Sequence, residues 1–304
     1  RAIKLVVAFP AGGPTDLTMR QLAENASKIL GQPVIVENRP GAAGSLPASQ
    51  LQSTPADGYT IAQLPMSVMR LPFTTGLKWN PVDDLSYILN VTGYAFCMVA
   101  STQSGLKNWQ EVVAWAKANP GKLNYASSGN GTIVHLNALE FSARAGVQMT
   151  HVPYKGTSVE LGDLLANNIG VGFMDIASPV PHIKSGKLVA LGATGSARGP
   201  ALPEVPTLSE QGYKFDADGW YGIFVPSKTD PQVVERLNAE FARVLGSDEV
   251  KKKFAEQNML IPAHKTPAQF AQTVKEDMAL WQQLAKVARM NSNGSPWPVF
   301  PKTQ

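Results

Sequence analysis

The chain has 304 residues, 44% of them hydrophobic and 16% charged, enough for one large or two ordinary α/β domains around a sizeable core. Its net charge of +4 is scattered, and the one tight cluster, Lys251-Lys252-Lys253, reads as a solvated helix face and not as a nucleic-acid patch. No apolar run approaches the ~18–20 residues of a membrane span, and the single cysteine excludes an intrachain disulfide and a Cys-rich metal site.

An apolar, β-branched strand is expected over residues 3–9, followed by the turn Phe9-Pro10-Ala11-Gly12-Gly13-Pro14-Thr15-Asp16. A helix follows over 15–30, with Met19, Leu22, Ala26 and Leu30 on one face and Gly31 at its end. Two glycines allow a tight turn and close approach of backbone to a ligand. Pro14 suits the first helical position, where a missing N–H costs nothing. The first N–H groups of the helix lack intrahelical acceptors and carry partial positive charge, so the turn can hold an anion. It contains no basic residue, which favours a small carboxylate over a polyphosphate; a plain βα connection without ligand is the alternative. A strand at 34–36, the turn Asn38-Arg39-Pro40-Gly41, a helix over about 45–51 and a strand over 59–64 complete a parallel βα rhythm.

The middle opens with a strand over 95–100 that carries Cys97, read as a buried, inert thiol. A helix over 109–116 and a strand over 123–126 lead to Ser127-Ser128-Gly129-Asn130-Gly131-Thr132. A helix with Val134, Leu136, Leu139 and Phe141 follows, so this is a second strand–glycine turn–helix. Residues 149–156 read as a strand with a third such turn at Tyr154-Lys155-Gly156. Strands are expected over 171–175 and 188–192, then at 222–225. Asp230-Pro231 starts a helix with Val234, Leu237, Phe241 and Val244 in phase. Thr266-Pro267-Ala268-Gln269 is a capping box for a last helix running to about Met290, with Phe270, Val274, Met278, Trp281 and Leu284 or Ala285 inward. The stretch from Asn291 has no periodicity.

Open α/β sheets bind ligands at the carboxyl ends of their strands. Two such modules facing each other would offer two helix N-termini to one cleft, fit for a dicarboxylate. Nucleotide readings fail: the first turn lacks G-x-G-x-x-G, and the second has Val134 at the third glycine position. His135, His151, His182 and His264 show no metal-ligand spacing, so neither metal nor cofactor is expected. Ser127 or Ser128 with a distant His and Asp could form a triad, but no nucleophile motif supports it. His135 fits a structural or ligand-contacting role, and Lys155 an exposed turn. Asp175, at a strand end, suits either a ligand hydroxyl or a turn cap.

The turn over 9–16, followed by Val36-Glu37-Asn38-Arg39-Pro40-Gly41-Ala42, resembles the substrate-binding proteins of tripartite tricarboxylate transporters, the Bug family. In order, Asp57-Gly58-Tyr59-Thr60, Ala118-Asn119-Pro120-Gly121-Lys122-Leu123, His151-Val152-Pro153-Tyr154-Lys155-Gly156 and Leu202-Pro203-Glu204-Val205-Pro206-Thr207 extend the resemblance over about 3–290.

The resemblance implies an α/β, bilobed type II periplasmic-binding-protein-like fold: two βα domains with a ligand cleft between them. Residues 1–99 plus 221–304 would form one lobe and 100–220 the other, with crossings near 98–102 and 218–222. It implies a periplasmic, monomeric protein, its signal peptide already removed, that closes on a small carboxylate and delivers it to membrane permease subunits. It is not an enzyme on this reading, and it binds no nucleic acid. The alternatives are a ligand sensor for a membrane partner and a hydrolase using Ser128 and His135.

The implied ligand contacts are Phe9, Ala11, Gly12, Gly13, Thr15 and Asp16 in one lobe. In the other they are Ser128, Gly129, Asn130, Gly131, Thr132, His135, Tyr154 and Asp175. Ser67 and Arg70 lie where the family has smaller polar residues, and Arg70 could fork onto a second carboxylate. Ile133-Val134 is more apolar than usual and favours an aromatic or longer aliphatic ligand, so the expected ligand is a di- or aromatic carboxylate.

Overall fold

Short apolar runs closed by glycine or proline turns give the strands, and amphipathic runs between them give the helices, of two α/β units. The computed structural model describes residues 1–74, 79–130, 132–195, 198–213, 219–257 and 259–287. One unit is built on Arg1–Gly93 with Trp220–Gln283, the other on Tyr94–Gly219.

The first unit begins with β1 (Ile3–Val7), α1 (Pro14–Leu30) and β2 (Val34–Asn38). Then come α2 (Leu46–Gln52), β3 (Thr60–Pro65), α3 (Ser67–Thr74) and β4 (Leu85–Tyr94). The second unit contains β5 (Phe96–Ser101), α4 (Trp109–Ala118), β6 (Leu123–Ser127), α5 (Ile133–Ala145), β7 (Met149–Pro153), α6 (Thr157–Leu165), β8 (Val171–Asp175), α7 (Val180–Lys184) and β9 (Leu188–Ala193). The chain then returns to the first unit through β10 (Gly219–Pro226), α8 (Pro231–Leu245), α9 (Asp248–Glu256), β11 (Met259–Leu260) and α10 (Pro267–Val287).

The six-stranded sheet of the first unit has the order β11-β4-β10-β3-β1-β2. β1 runs parallel to β2 and β3, while β10 is antiparallel to β3. The five-stranded sheet of the second unit has the order β7-β6-β8-β5-β9. β6 is parallel to β7 and β8, and β5 is antiparallel to β8 and β9. Both sheets are therefore mixed, where the βα rhythm alone suggested parallel ones. β5 and β10 are the strands on which the chain first enters the second unit and re-enters the first; β5 runs against both of its neighbours and β10 against β3.

The division falls at Gly93/Tyr94 and Gly219/Trp220, against the expected 99/100 and 220/221. β5 explains the first difference, because its ladders run to β8 and β9 and place residues 96–99 in the second sheet. Asp218 at the second crossing and the tail from Asn291 lie outside the described residues.

Local end signals act as read. Gly31 ends α1 in the left-handed conformation at φ 64°, and its N–H bonds to the Ser27 carbonyl. The Thr266 N–H donates to Gln269 Oε1 and the Gln269 N–H to Thr266 Oγ1, which closes the capping box before α10. Phe270, Val274 and Met278 are buried as expected, and the side chains of Trp281, Leu284 and Ala285 lie outside the described residues. Cys97 is buried, and burial raises its thiol pKa well above the ordinary value, so it is an inert core residue.

Candidate functional site

The first glycine turn is shaped from inside by Asp16. Gly12 sits at φ 82°, and its N–H donates to Asp16 Oδ2 at 2.8 Å. The Arg20 guanidinium reaches the same oxygen at 3.0 Å, one helical turn on. The Asn38 amide at the end of β2 donates to Asp16 Oδ1 at 2.8 Å and to the Phe9 carbonyl at 3.0 Å. Asn38 Oδ1 in turn accepts from Arg20 at 2.9 Å. Burial raises the Asp16 pKa, but these donors outweigh it and hold the carboxyl below its ordinary value.

Asp16 is thus the buried brace of the turn, with both oxygens in use inside the protein. Its charge is balanced by Arg20. Ala11 and Gly12 are exposed, and Phe9, Gly13 and Thr15 are half-buried. Gly13 is the N-cap of α1 and no side chain caps the helix, whose first residue, Pro14, has no N–H to satisfy.

Gln63 completes this arrangement. It lies opposite Val7 on β3, is fully buried, and its Oε1 accepts the Ala8 N–H at 3.0 Å. Its Nε2 is buried without a protein acceptor among the described residues. At the base of α1, Thr18 Oγ1 and the Tyr221 hydroxyl lie 2.6 Å apart.

Arg70 differs from expectation. It is buried in α3, and its Nη2 reaches the Asp277 carboxylate of α10 at 3.0 and 3.3 Å. The fork expected to await a second ligand carboxylate is engaged with an internal one. Ser67, at the start of α3, is buried as well. Arg70→Ala would leave Asp277 without this charge partner, and breaking a buried pair of this kind costs about 3 kcal/mol. We expect denaturant titration to show that loss, with dicarboxylates and their monocarboxylate analogues losing affinity to the same extent. A loss confined to dicarboxylates would restore the original role.

In the second unit the turn over 128–132 joins β6 to α5. Thr132 is the N-cap, its Oγ1 accepting the His135 N–H and donating to the Gly129 carbonyl at 2.7 Å. Gly129 has φ 141°, and a Cβ there would stand 3.4 Å from the Thr132 methyl and 3.5 Å from the Tyr154 carbonyl. Ser128 and Gly129 are half-buried and Asn130 is exposed, while Gly131 lies outside the described residues.

His135 is buried, its ring stacked on His151 with centroids 3.8 Å apart and 9° between planes. Burial, then the neighbouring imidazole, push its pKa down to about 3; burial pushes His151 down to about 4. The serine–histidine pair that forms is Ser127–His151 at 2.6 Å, not Ser128–His135. Ser127 is fully buried and also bonded to Gly129, which denies it the access a nucleophile needs.

The third turn joins β7 to α6. The Tyr154 hydroxyl donates to Asp163 Oδ2 at 2.8 Å, and burial with that bond pushes its pKa up to about 12. Asp175, at the end of β8, caps a turn: Oδ1 accepts the Ser178 N–H at 2.8 Å and Oδ2 pairs with the Ser178 hydroxyl at 2.9 Å. Burial raises its pKa against those bonds. Behind it Glu160 is fully buried, neither oxygen has a hydrogen-bond partner among the described residues, and burial followed by Asp175 raises its pKa well above normal.

The turn over 9–16, and Ser128, Gly129, Asn130 and Thr132 of the second, therefore link strand to helix where the sequence implied, each within its own unit. Gln63 and Asp277 escaped the sequence reading, and His151 was given no site role there. A glutamine in the otherwise apolar strand over 59–64 was a usable signal for the first. The other two act through partners that only the sheet register or tertiary packing reveals.

The family model described as "Tripartite tricarboxylate transporter family receptor" matches residues 18–290. A Cupriavidus necator protein, the "UPF0065 protein in gbd 5'region", is 44% identical over 93% of this chain and 88% of its own length. BugT of Bordetella pertussis is 32% identical over 92% of this chain and 87% of its own. The structure of the periplasmic binding protein BugD superposes with a TM-score of 0.87 at 29% identity, covering 96% of this chain and 98% of that one. MatC from Rhodopseudomonas palustris with bound malate superposes with a TM-score of 0.85 at 29% identity, covering 93% and 98%. R. palustris Rpa4515 with adipate gives 0.85 at 27% identity, covering 94% and 96%.

Proposed function

The chain belongs to the tripartite tricarboxylate transporter receptor family, and from that membership we propose that it captures a linear dicarboxylate in the periplasm and delivers it to a membrane permease. The observation that carries the reading is the first turn. A neutralised internal brace of Asp16, Arg20 and Asn38 fixes a glycine backbone at a helix start that no side chain caps, and residues 9–16 hold no basic side chain. Such a turn suits a carboxylate held by backbone N–H groups. We assign ligand contact to Ala11, Gly12, Gly13 and Thr15, and to the turn over 128–132 in the second unit. Asp16, Arg70 and Asp175 act as internal braces.

The dicarboxylate class follows from relatives whose structures hold malate and adipate. No bond is made or broken on this reading, and the buried Ser127 fits that. A thermal-shift screen of C4–C8 linear dicarboxylates, aromatic carboxylates, monocarboxylates and tricarboxylates tests it. A linear dicarboxylate at ~100 times its dissociation constant should add about 2.7 kcal/mol of stability. Conversion of the stabilising compound to a product, or stabilisation only by compounds without a carboxylate, would contradict the proposal. Permease genes beside the coding sequence would favour transport over sensing.

A further inference from the structure

Ser127 closes β6 directly beneath the second glycine turn, and its hydroxyl is a junction. Oγ lies 2.6 Å from Nε2 of His151 on β7, accepts the Gly129 N–H at 3.3 Å, and stands 3.2 Å from the Gly129 carbonyl. The Ser127 carbonyl accepts the Tyr154 N–H at 2.9 Å, which ties the third turn to the same residue. The register explains the meeting, because β6 and β7 run parallel with Tyr125 opposite His151 and Ser127 opposite Pro153.

The His151 ring is also packed against two others. Tyr125 stacks on it at 5.1 Å and 27°, and His135 at 3.8 Å and 9°. His135 belongs to the first turn of α5, where its N–H meets the Thr132 cap. One imidazole therefore touches both ends of the turn: the strand end through Ser127 and the helix end through His135. Within the turn Gly129 has φ 141°, and Thr132 Oγ1 donates to its carbonyl at 2.7 Å.

We propose that His151 is the positioning residue of the second ligand-binding turn, holding Gly129 at its strand end through Ser127 and the Thr132 cap at its helix end through His135. It does so as a neutral ring. A neutral ring with its proton on Nε2 donates to Ser127 Oγ, which leaves the Ser127 O–H to donate to the Gly129 carbonyl while the Gly129 N–H donates to Oγ. A charge on this half-buried ring would face a second, buried imidazole, an uncompensated arrangement that desolvation disfavours. The proposal rests on reading the turn over 128–132 as part of the carboxylate site.

Three variants test it. His151→Phe keeps a ring for Tyr125 and His135 but removes Nε2. His151→Gln offers an amide to Ser127 and cannot ionise. Ser127→Ala removes the hydroxyl with both rings intact and serves should the phenylalanine variant fail to fold. The first readout needs no ligand: the backbone amide resonances of Gly129 and Tyr154. They should move in His151→Phe and Ser127→Ala and return towards wild-type positions in His151→Gln. The second is calorimetric titration with malate and adipate, where losing a neutral hydrogen bond should weaken binding about tenfold in His151→Phe and less in His151→Gln. Nitrogen spectra of both imidazoles should show neutral rings at pH 6. Unmoved Gly129 and Tyr154 amides in folded variants would overturn the proposal, as would moved amides with unchanged malate or adipate affinity. Should wild type bind neither compound, the dicarboxylate reading fails, and the amide pattern alone decides whether His151 holds the turn.

Discussion

Replacing Asp16 with alanine is expected to cost about 3 kcal/mol of stability and to abolish carboxylate binding, because three donors lose one buried acceptor together. The Gly12 N–H, the Asn38 amide and the Arg20 guanidinium all converge on this carboxylate. Without it the turn loses its internal fastening, and Arg20 loses the charge that balances it next to the ligand amides. Asp16→Asn keeps the shape and one acceptor oxygen but not the charge, and should fall between the two. The pH dependence has a definite sign. The folded carboxyl titrates below its ordinary value of 3.8. Its contribution is therefore fully present above the unfolded value and is lost as pH falls through the folded one. The gap between wild type and Asp16→Asn should accordingly shrink below about pH 3.8. Urea titrations across pH, with calorimetric binding at pH 7, measure both effects. An Asp16→Ala protein of wild-type stability and affinity would show that the turn is held by something else.

Gly12→Val should reduce affinity at least a hundredfold, while Gly13→Ala separates strain from ligand approach. Gly12 has φ 82°, a conformation that costs an L-residue about 1–2 kcal/mol and a β-branched one more. Space is not the obstacle there, since a Cβ on Gly12 would meet nothing within 4 Å. The strain would instead pull the Gly12 N–H off Asp16. Gly13 has φ −78° and ψ 169°, which any residue adopts, and its Cβ would make an ordinary 3.5 Å contact with the Pro10 carbonyl. Gly13→Ala should therefore fold as wild type. Lost affinity in that variant would report a ligand lying against the backbone at Gly13. Full affinity in Gly12→Val would reduce the turn to a connector.

What the sequence revealed was what neighbours along the chain decide. Gly31 ending α1 and the Thr266 capping box are settled within a few residues, and so were the two glycine turns. The signals failed where tertiary context prevails. α3 carries Pro72 inside its eight residues, which reads as a helix breaker. β4 mixes Ser86, Asn90 and Thr92 with apolar residues, so no clean alternation marks it. Antiparallel β5 and β10 reflect where the chain passes from unit to unit, which no local pattern encodes. The site divides along the same line. Gly12, Gly13 and Thr132 were legible from their motifs. Asp16 and Arg70 were read as ligand contacts, whereas their bonds to Asn38 and Asp277 make them internal braces. Asn38 sits 22 positions from Asp16, and Asp277 sits 207 from Arg70.

The most direct test of the account is one calorimetric titration of the protein with a series of linear dicarboxylates from four to eight carbons, followed by chemical recovery of the compound. The account predicts saturable one-to-one binding of at least one member, much weaker binding of its monocarboxylate analogue, and quantitative return of the unchanged dicarboxylate. Absence of binding across the series, or recovery of a converted product, would contradict it.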